Sequence, residues 1–336
     1  MRKKLLYLLI FTLFISGCAG KTPCGPKDTD PLPLVPMYEP DPLNAENGVY
    51  TLCWMTDTQY YSKYYPWIFH SMTLFLKNNT QRMNLKYIFH TGDIVNSKND
   101  DNQWNTAEKC LSQIEHIPMS ILAGNHDVAY DSLDYSDFSE RFGKNYTEGK
   151  SWIGGLYENN RGHYALVELG STEYLFVSMG YGTDKKCIEW MNGVFKKYPE
   201  RAGFLLLHEY INTNGTFTDN GESIFNEVVK NNPNIYMVLC GHRYNANMRI
   251  DEFDDDKDGS PDRSVCQMLA NYQNNSWGGA GYMRFFRVDE QKKEISVLTY
   301  SPYKDDYNYF DPDEFPGKDE FTLEAEWLGP ARPDSD

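Results

Sequence analysis

The sequence predicts an α/β domain built of layered, mixed β-sheets. Two observations carry this. Up to residue 239, short apolar runs alternate with segments of helical period, and beyond it the pattern turns to strands alone, the order expected of strands and helices packed in layers. Each of five apolar runs also ends in a small group of hydrophilic, ligand-competent residues, and open α/β sheets bind ligands outside the carboxyl ends of their strands.

Composition admits such a domain. The 336 residues are 40% hydrophobic and 15% aromatic, with a mean hydropathy of −0.62, which rules out a disordered chain and a multi-span membrane protein. The formal charge of −16 argues against nucleic-acid binding by bulk charge, which needs excess Lys and Arg. A phosphate substrate held through metal ions stays open, because bound cations reverse the local sign. No feature points to a protein partner.

Taken in order, the chain begins with Arg2, Lys3 and Lys4, an apolar run over residues 5–15, and Ile15-Ser16-Gly17-Cys18. These are the parts of a secretory signal, too short for an ordinary spanning helix. The small residues before Cys18 resemble the lipobox of bacterial lipoproteins, which implies cleavage of residues 1–17, lipidation of Cys18 and attachment to a membrane of the bacterial cell envelope. The plainer alternative is a signal peptide with an incidental Cys. Residues 18–47, with seven prolines from Pro23 to Pro42, read as a stiff extended tether. Residues 48–302 read as the folded domain and 303–336 as an acidic extension that wraps it or frays. Cys24, Cys53, Cys110, Cys187, Cys240 and Cys266 show no CxxC or zinc-knuckle spacing; Cys53 and Cys240 lie in apolar runs, as buried thiols do.

Within the domain, residues 49–55, 85–90, 119–122, 204–207 and 235–239 read as buried strands. Residues 66–78, 102–115, 134–142, 184–198 and 222–230 read as helices, the fourth with Asp184 as N-cap and Pro199 beyond its end. Residues 164–169 and 174–179 flank Gly170-Ser171 and form a hairpin. Strands at 248–253, 264–270, 282–288 and 295–300 follow.

The five strand ends carry Thr56-Asp57-Thr58-Gln59, Thr91-Gly92-Asp93, Gly124-Asn125-His126-Asp127, His208-Glu209 and Gly241-His242. Singly, each has an ordinary reading as a turn, an N-cap or a structural His. Jointly they bring carboxylate, amide and imidazole together, the donor mixture of Zn, Mn or Fe rather than Ca. On these residues the chain resembles the calcineurin-like metallophosphoesterases, whose motifs run Asp-x-His, Gly-Asp, Gly-Asn-His-Asp/Glu, an isolated His, and Gly-His-x-His. The resemblance covers roughly residues 48–302 and implies a four-layer α/β/β/α sandwich with two mixed β-sheets and two divalent transition-metal ions. By position, Asp93 is then the bridging carboxylate. Asn125, His208 and His242 hold one metal, and Asp57 the other. His126, with its ring oriented by Asp127, steadies the phosphate and protonates the leaving oxygen. Such pairs of metals, about 3.5–4 Å apart, activate a hydroxide and clamp the reacting oxygens, so the implied reaction is hydrolysis of a phosphomonoester or phosphodiester.

Two positions depart from the pattern: Gln59 and Tyr244 stand where the family has His, both at the metal of Asp57. Three readings stay open: two metals, with Gln59, Tyr244 or water completing the weaker site; one metal at Asn125, His208 and His242, with Arg243 lending charge to the phosphate; or a metal-binding surface module without activity.

Elsewhere, Asp254, Asp256, Asp258 and Asp262 sit in a D-x-D-x-D-G run. It reads either as a calcium loop or as an acidic hairpin turn; Val265 at the twelfth position argues against an EF-hand. Tyr60, Tyr61, Tyr64, Tyr65 and Trp67 follow Gln59; they read as core under the first helix, or as rings beside the site.

Overall fold

A computed structural model describes residues 41–46, 48–129 and 131–329. The candidate signal, most of the tether and Cys18 lie outside the described residues. The elements run β1 (Val49–Met55), α1 (Gln59–Lys63), α2 (Pro66–Asn79), β2 (Leu85–His90), α3 (Asp101–Leu111), β3 (Met119–Ile121), α4 (Ser136–Phe142), α5 (Lys144–Thr147), β4 (Ile153–Tyr157), β5 (Gly162–Leu169) and β6 (Thr172–Met179). They continue with α6 (Lys185–Lys197), β7 (Ala202–Leu207), α7 (Asp219–Glu227), β8 (Ile235–Cys240), β9 (Asn245–Phe253), β10 (Arg263–Asn271), β11 (Met283–Asp289), β12 (Glu294–Ser301), β13 (Asp306–Tyr307) and β14 (Phe321–Glu324).

These form two seven-stranded sheets. The first runs β13-β12-β11-β1-β2-β3, with β14 also on β12; the second runs β4-β5-β6-β7-β8-β10-β9. Both are mixed: β1 pairs parallel to β2 and antiparallel to β11, and β8 pairs parallel to β10, which is antiparallel to β9. Strand alternation assembles the layers. Leu52 and Trp54 of β1 and Phe204 and Leu206 of β7 join one buried cluster between the sheets. Their neighbours Cys53 and Met55 face a cluster with Ile68, Met72 and Trp104 of α2 and α3. Leu205 and Leu207 face another with Ile188, Met191 and Ile224 of α6 and α7. The result is an α/β/β/α sandwich with two mixed sheets. Strands covered on both faces explain why the parallel strands read as continuous apolar runs. Helix starts follow local chemistry: Asp100, Asp184 and Thr218 accept the N–H groups of Asn102, Cys187 and Gly221.

Residues 303–329 are part of the sandwich. β13 and β14 pair with β12, and Leu323, Ala325 and Leu328 are buried in the cluster between the sheets. Trp327 stacks on Tyr236 at 4.9 Å. Two strands this short carry no periodic signal in an acidic stretch. Cys53, Cys187, Cys240 and Cys266 are free thiols, and they and Cys110 are buried. No helix among the described residues is long and apolar enough to cross a membrane.

His163, on the inner face of β5, reaches across to Ser120 of β3 in the other sheet at 3.0 Å. Burial pushes its imidazole down to about 4. In the unfolded chain the ring takes its proton near pH 6.5. The folded state therefore binds fewer protons between those values, and His163 contributes stability above pH 6.5 that is lost as pH falls toward 4. Thermal denaturation between pH 7 and 4 (about those limits) is expected to show a shallower acid decline in His163→Gln than in the parent chain.

Candidate metal centre

The five strand-end clusters meet at one edge of the sandwich. Asp93 lies at their centre, buried, with its backbone at φ 54°. Its Oδ1 accepts the His126 backbone N–H at 2.9 Å and lies 3.3 Å from His208 Nε2. Its Oδ2 accepts the Gln59 side-chain amide at 2.9 Å. Asn125 Oδ1 is 3.0 Å from His208 Nε2 and 2.8 Å from His242 Nδ1. Ligand atoms of Asp93, His208 and His242 all lie within 4.8 Å of one another. Asp57, also buried, accepts the Thr56 hydroxyl at 2.7 Å and shares the His242 backbone N–H between both oxygens at 3.2 Å.

The backbone is forced into this arrangement. Asp57, Asp93 and His242 have φ of 52°, 54° and 70°, left-handed values that cost a non-glycine residue about 1–2 kcal/mol each. Each follows the end of a strand, so the reversal turns its side chain into the shared space. The glycines of the motifs make room. A Cβ on Gly124 would lie 2.2 Å from Asp93 Oδ1 and 2.3 Å from the Asp93 nitrogen, and one on Gly241 would lie 2.2 Å from Asp57 Oδ2.

Electrostatics show what is crowded here. Burial and then the Asp93 charge push Asp57 up to about 7. Burial lowers His208, but the Asp93 and Asp57 carboxylates and the Thr91 carbonyl together outweigh it and raise the ring to about 10. His242 is held at about 3 by burial and by the neighbouring His208. His208 Nδ1–H donates to the Thr91 carbonyl at 2.8 Å, which turns Nε2 toward the cluster.

The donor set fits a transition metal. Two imidazoles, an amide oxygen and a carboxylate converge, and together they match Zn, Mn or Fe. The second group is weaker in donors. Asp57, Asp93 and Gln59 adjoin, and Gln59 Oε1 is a buried acceptor without a hydrogen-bond partner. A buried oxygen without a donor, on a side chain bonded to Asp93 and two residues from Asp57, lacks a positive partner, so this side too fits a cation. Tyr244 is half-exposed at 49%.

One expected contact is different. Asp127 does not orient the His126 ring. Its Oδ1 accepts the backbone N–H groups of Ile94 and Val95, and its Oδ2 that of Gly124. These bonds brace the turn after β2 against the turn after β3. The His126 ring is held instead by Asn96, whose carbonyl accepts from Nδ1–H at 3.0 Å. A carbonyl leaves no sequence signal, and a carboxylate beside a His does, so the sequence points to the wrong partner. Thr91 and Glu209, strand-end residues given no role of their own from the sequence, and Asn96, which carries no signal there, are positioning residues. Glu209 lies 3.8 Å from His242 Nε2 and accepts Arg243 at 3.1 Å, which commits Arg243 to a surface pair. His90 bonds Thr58 at 3.0 Å and supports the first turn.

The acidic run 254–262 connects β9 and β10 as a hairpin loop. Asp254, Asp256 and Asp262 bring carboxylates within 4.8 Å of one another, all exposed. Asp258 instead accepts the Ser260 N–H. Asp254, Asp256 and Asp262 also cap backbone N–H groups of the turn, as acidic hairpins do without an ion.

The family model for calcineurin-like phosphoesterases matches residues 50–245. The chain is 45% identical over 285 residues to the uncharacterized protein YvnB of Bacillus subtilis (strain 168); the match covers 84% of this chain and 22% of that protein. The chain thus spans about a fifth of that relative's length. Among solved structures, a purple acid phosphatase from yellow lupin (Lupinus luteus) seeds has a similar fold, with a TM-score of 0.55 at 10% identity over 82% of this chain and 54% of that one.

Because the Gly124 Cβ has no room, Gly124→Ala is expected to displace Asp93, lower stability by about 1–3 kcal/mol and abolish stoichiometric metal binding. Denaturant titration and elemental analysis check the two effects.

Proposed function

The chain belongs to the calcineurin-like phosphoesterase family, and from that premise we propose that it hydrolyses a phosphomonoester or phosphodiester with two divalent transition-metal ions. Asn125, His208, His242 and Asp93 would hold one ion; Asp93, Asp57 and Gln59 the other. Divalent cations, when bound, supply Lewis acidity for the phosphoryl group and a water activated at neutral pH. The observation that carries the reading is the convergence of two imidazoles, an amide and the buried Asp93 beside the partly exposed His126. Asn96 fixes Nδ1 of His126 as a donor, so in the doubly protonated ring Nε2 is the atom that gives its proton to the leaving oxygen, and the ring returns to the neutral Nδ1–H form. Asp127 contributes by bracing the turns that carry Asp93 and His126.

A second reading is a metal-binding surface module without turnover. It is favoured by Gln59, an amide in place of an imidazole, and by the half-exposed Tyr244. Elemental analysis of the purified chain with a panel of phosphoesters separates the two. His126→Gln is expected to keep its metals and to lose about 10²–10⁴ in kcat. Asp93→Asn is expected to lose both metal and activity. Metals bound with no turnover of any ester would leave the second reading; full activity in Asp57→Ala would reduce the site to one ion.

We further propose, on the Ser16-Gly17-Cys18 signal, that the protein is exported and anchored to a membrane of the cell envelope through lipid on Cys18. Cys18→Ser is expected to move the protein from the membrane fraction to the soluble fraction, read by fractionation and by the mass of the amino-terminal peptide.

A further inference from the structure

Beside the Asp57 and Gln59 side of the centre lies a run of aromatic rings that the chemistry described so far does not use. It begins at Tyr60, next to Gln59, and passes by ring contacts of 6.0 Å to Tyr64, 6.1 Å to Tyr65 and 5.6 Å to Trp277. Trp67 closes it, 5.7 Å from Tyr65 and 6.3 Å from Trp277. Tyr244 lies close enough to this run for its phenol to interact electrostatically with that of Tyr60. Among the described residues five large hydrophobics are exposed, and three of them, Tyr64, Trp277 and Tyr244, belong to this run. A core would bury such rings; concentrated beside a reaction centre, they form a binding surface.

The loop that presents Trp277 is strained and anchored. Residues 277–281 all have positive φ, including Trp277 at 61° and Ala280 at 50°. A bulky residue in that region is uncommon and persists where its surroundings over-determine it. Tyr61 Oη accepts the Gly281 N–H at 2.9 Å, and Ser301 donates to the Ala280 carbonyl. The backbone is therefore fixed while the indole stays 39% exposed. Two buried polar atoms here have no hydrogen-bond partner: Trp67 Nε1, a donor, and Gln273 Oε1, an acceptor in the same loop, on a residue 4% exposed. Asn271, two residues earlier, donates to the carbonyl of His242, which ties this loop to the metal centre.

We propose that this aromatic wall is the subsite for the alcohol side of the substrate and that it stacks a nucleobase, so that the preferred phosphoester is a small nucleotide; this rests on the phosphoesterase reading. Flat, partly exposed rings suit the π-face of a base, which stacks whatever its identity. The acidic balance of the chain selects a small nucleotide over a polynucleotide. Tyr244 thereby acquires a role: it takes the family's ligand position and serves as a wall residue.

Calorimetric titration of the full chain as purified, with adenosine and with ribose as probes, tests this. Adenosine is expected to bind and ribose not. Trp277→Ala is expected to weaken adenosine about tenfold, the scale of one stacked base, with Trp277→Phe within about twofold of the parent chain. Unchanged melting temperatures show that the variants fold. With metal, the ratio of kcat/KM for a nucleotide over glycerol phosphate is expected to fall about tenfold in Trp277→Ala. No adenosine binding by the parent chain, equal binding of ribose, or an unchanged ratio in Trp277→Ala would overturn the proposal. Adenosine binding lost in Trp277→Ala, with no ester turned over, would keep the wall and remove the phosphoesterase reading. Turnover without preference for a ring would do the reverse.

Discussion

Asp93 is a carboxylate buried where several polar groups must share it. One oxygen faces the His126 N–H and His208, the other the Gln59 amide. Asp57 adds a second buried carboxylate whose ionisation Asp93 opposes. Bringing like charges out of water is costly unless positive charge joins them. The surrounding structure is organised around that cost: left-handed residues turn the donors inward, glycines let backbones approach, and Asp127 spends its own oxygens on three N–H groups that brace the turns.

The sandwich makes this arrangement rigid. Between the sheets an aromatic and aliphatic core is buried from both sides, and its far end is covered by the carboxy-terminal segment through Leu328. Strand ends on such a core move little, so the five loops present their side chains from a fixed frame. The loops themselves carry the chemistry, and their cohesion comes from side chain to backbone bonds: Thr91 to His208, Asn96 to His126, Asn271 to His242.

The departures from the family pattern fall on one side of the centre. Gln59 and Tyr244 both stand at the Asp57 position, and the aromatic run begins there. An amide and a half-exposed phenol make a poorer metal site than two imidazoles. They also open that side toward an aromatic surface, so altered metal ligation and a built ring surface coincide in space.

The alternation of apolar runs and polar strand ends determined the layered α/β class, the parallel strands and the cluster that includes Asp57, Asp93, Asn125, His208 and His242. Those signals are local: strand length, periodicity and motif spacing survive in a one-dimensional string. Four features were decided only in three dimensions. The carboxy-terminal strands exist because β12 has a free edge to pair with. Asn96 rather than Asp127 holds His126, because a backbone carbonyl reaches it and no side-chain letter marks that. Tyr61 is core while its neighbours Tyr64 and Trp277 are exposed, since burial depends on what the opposing loop covers. The positive φ at Asp57, Asp93 and His242 arises because five chain reversals must fit into one small volume, a demand that no single segment of the sequence expresses.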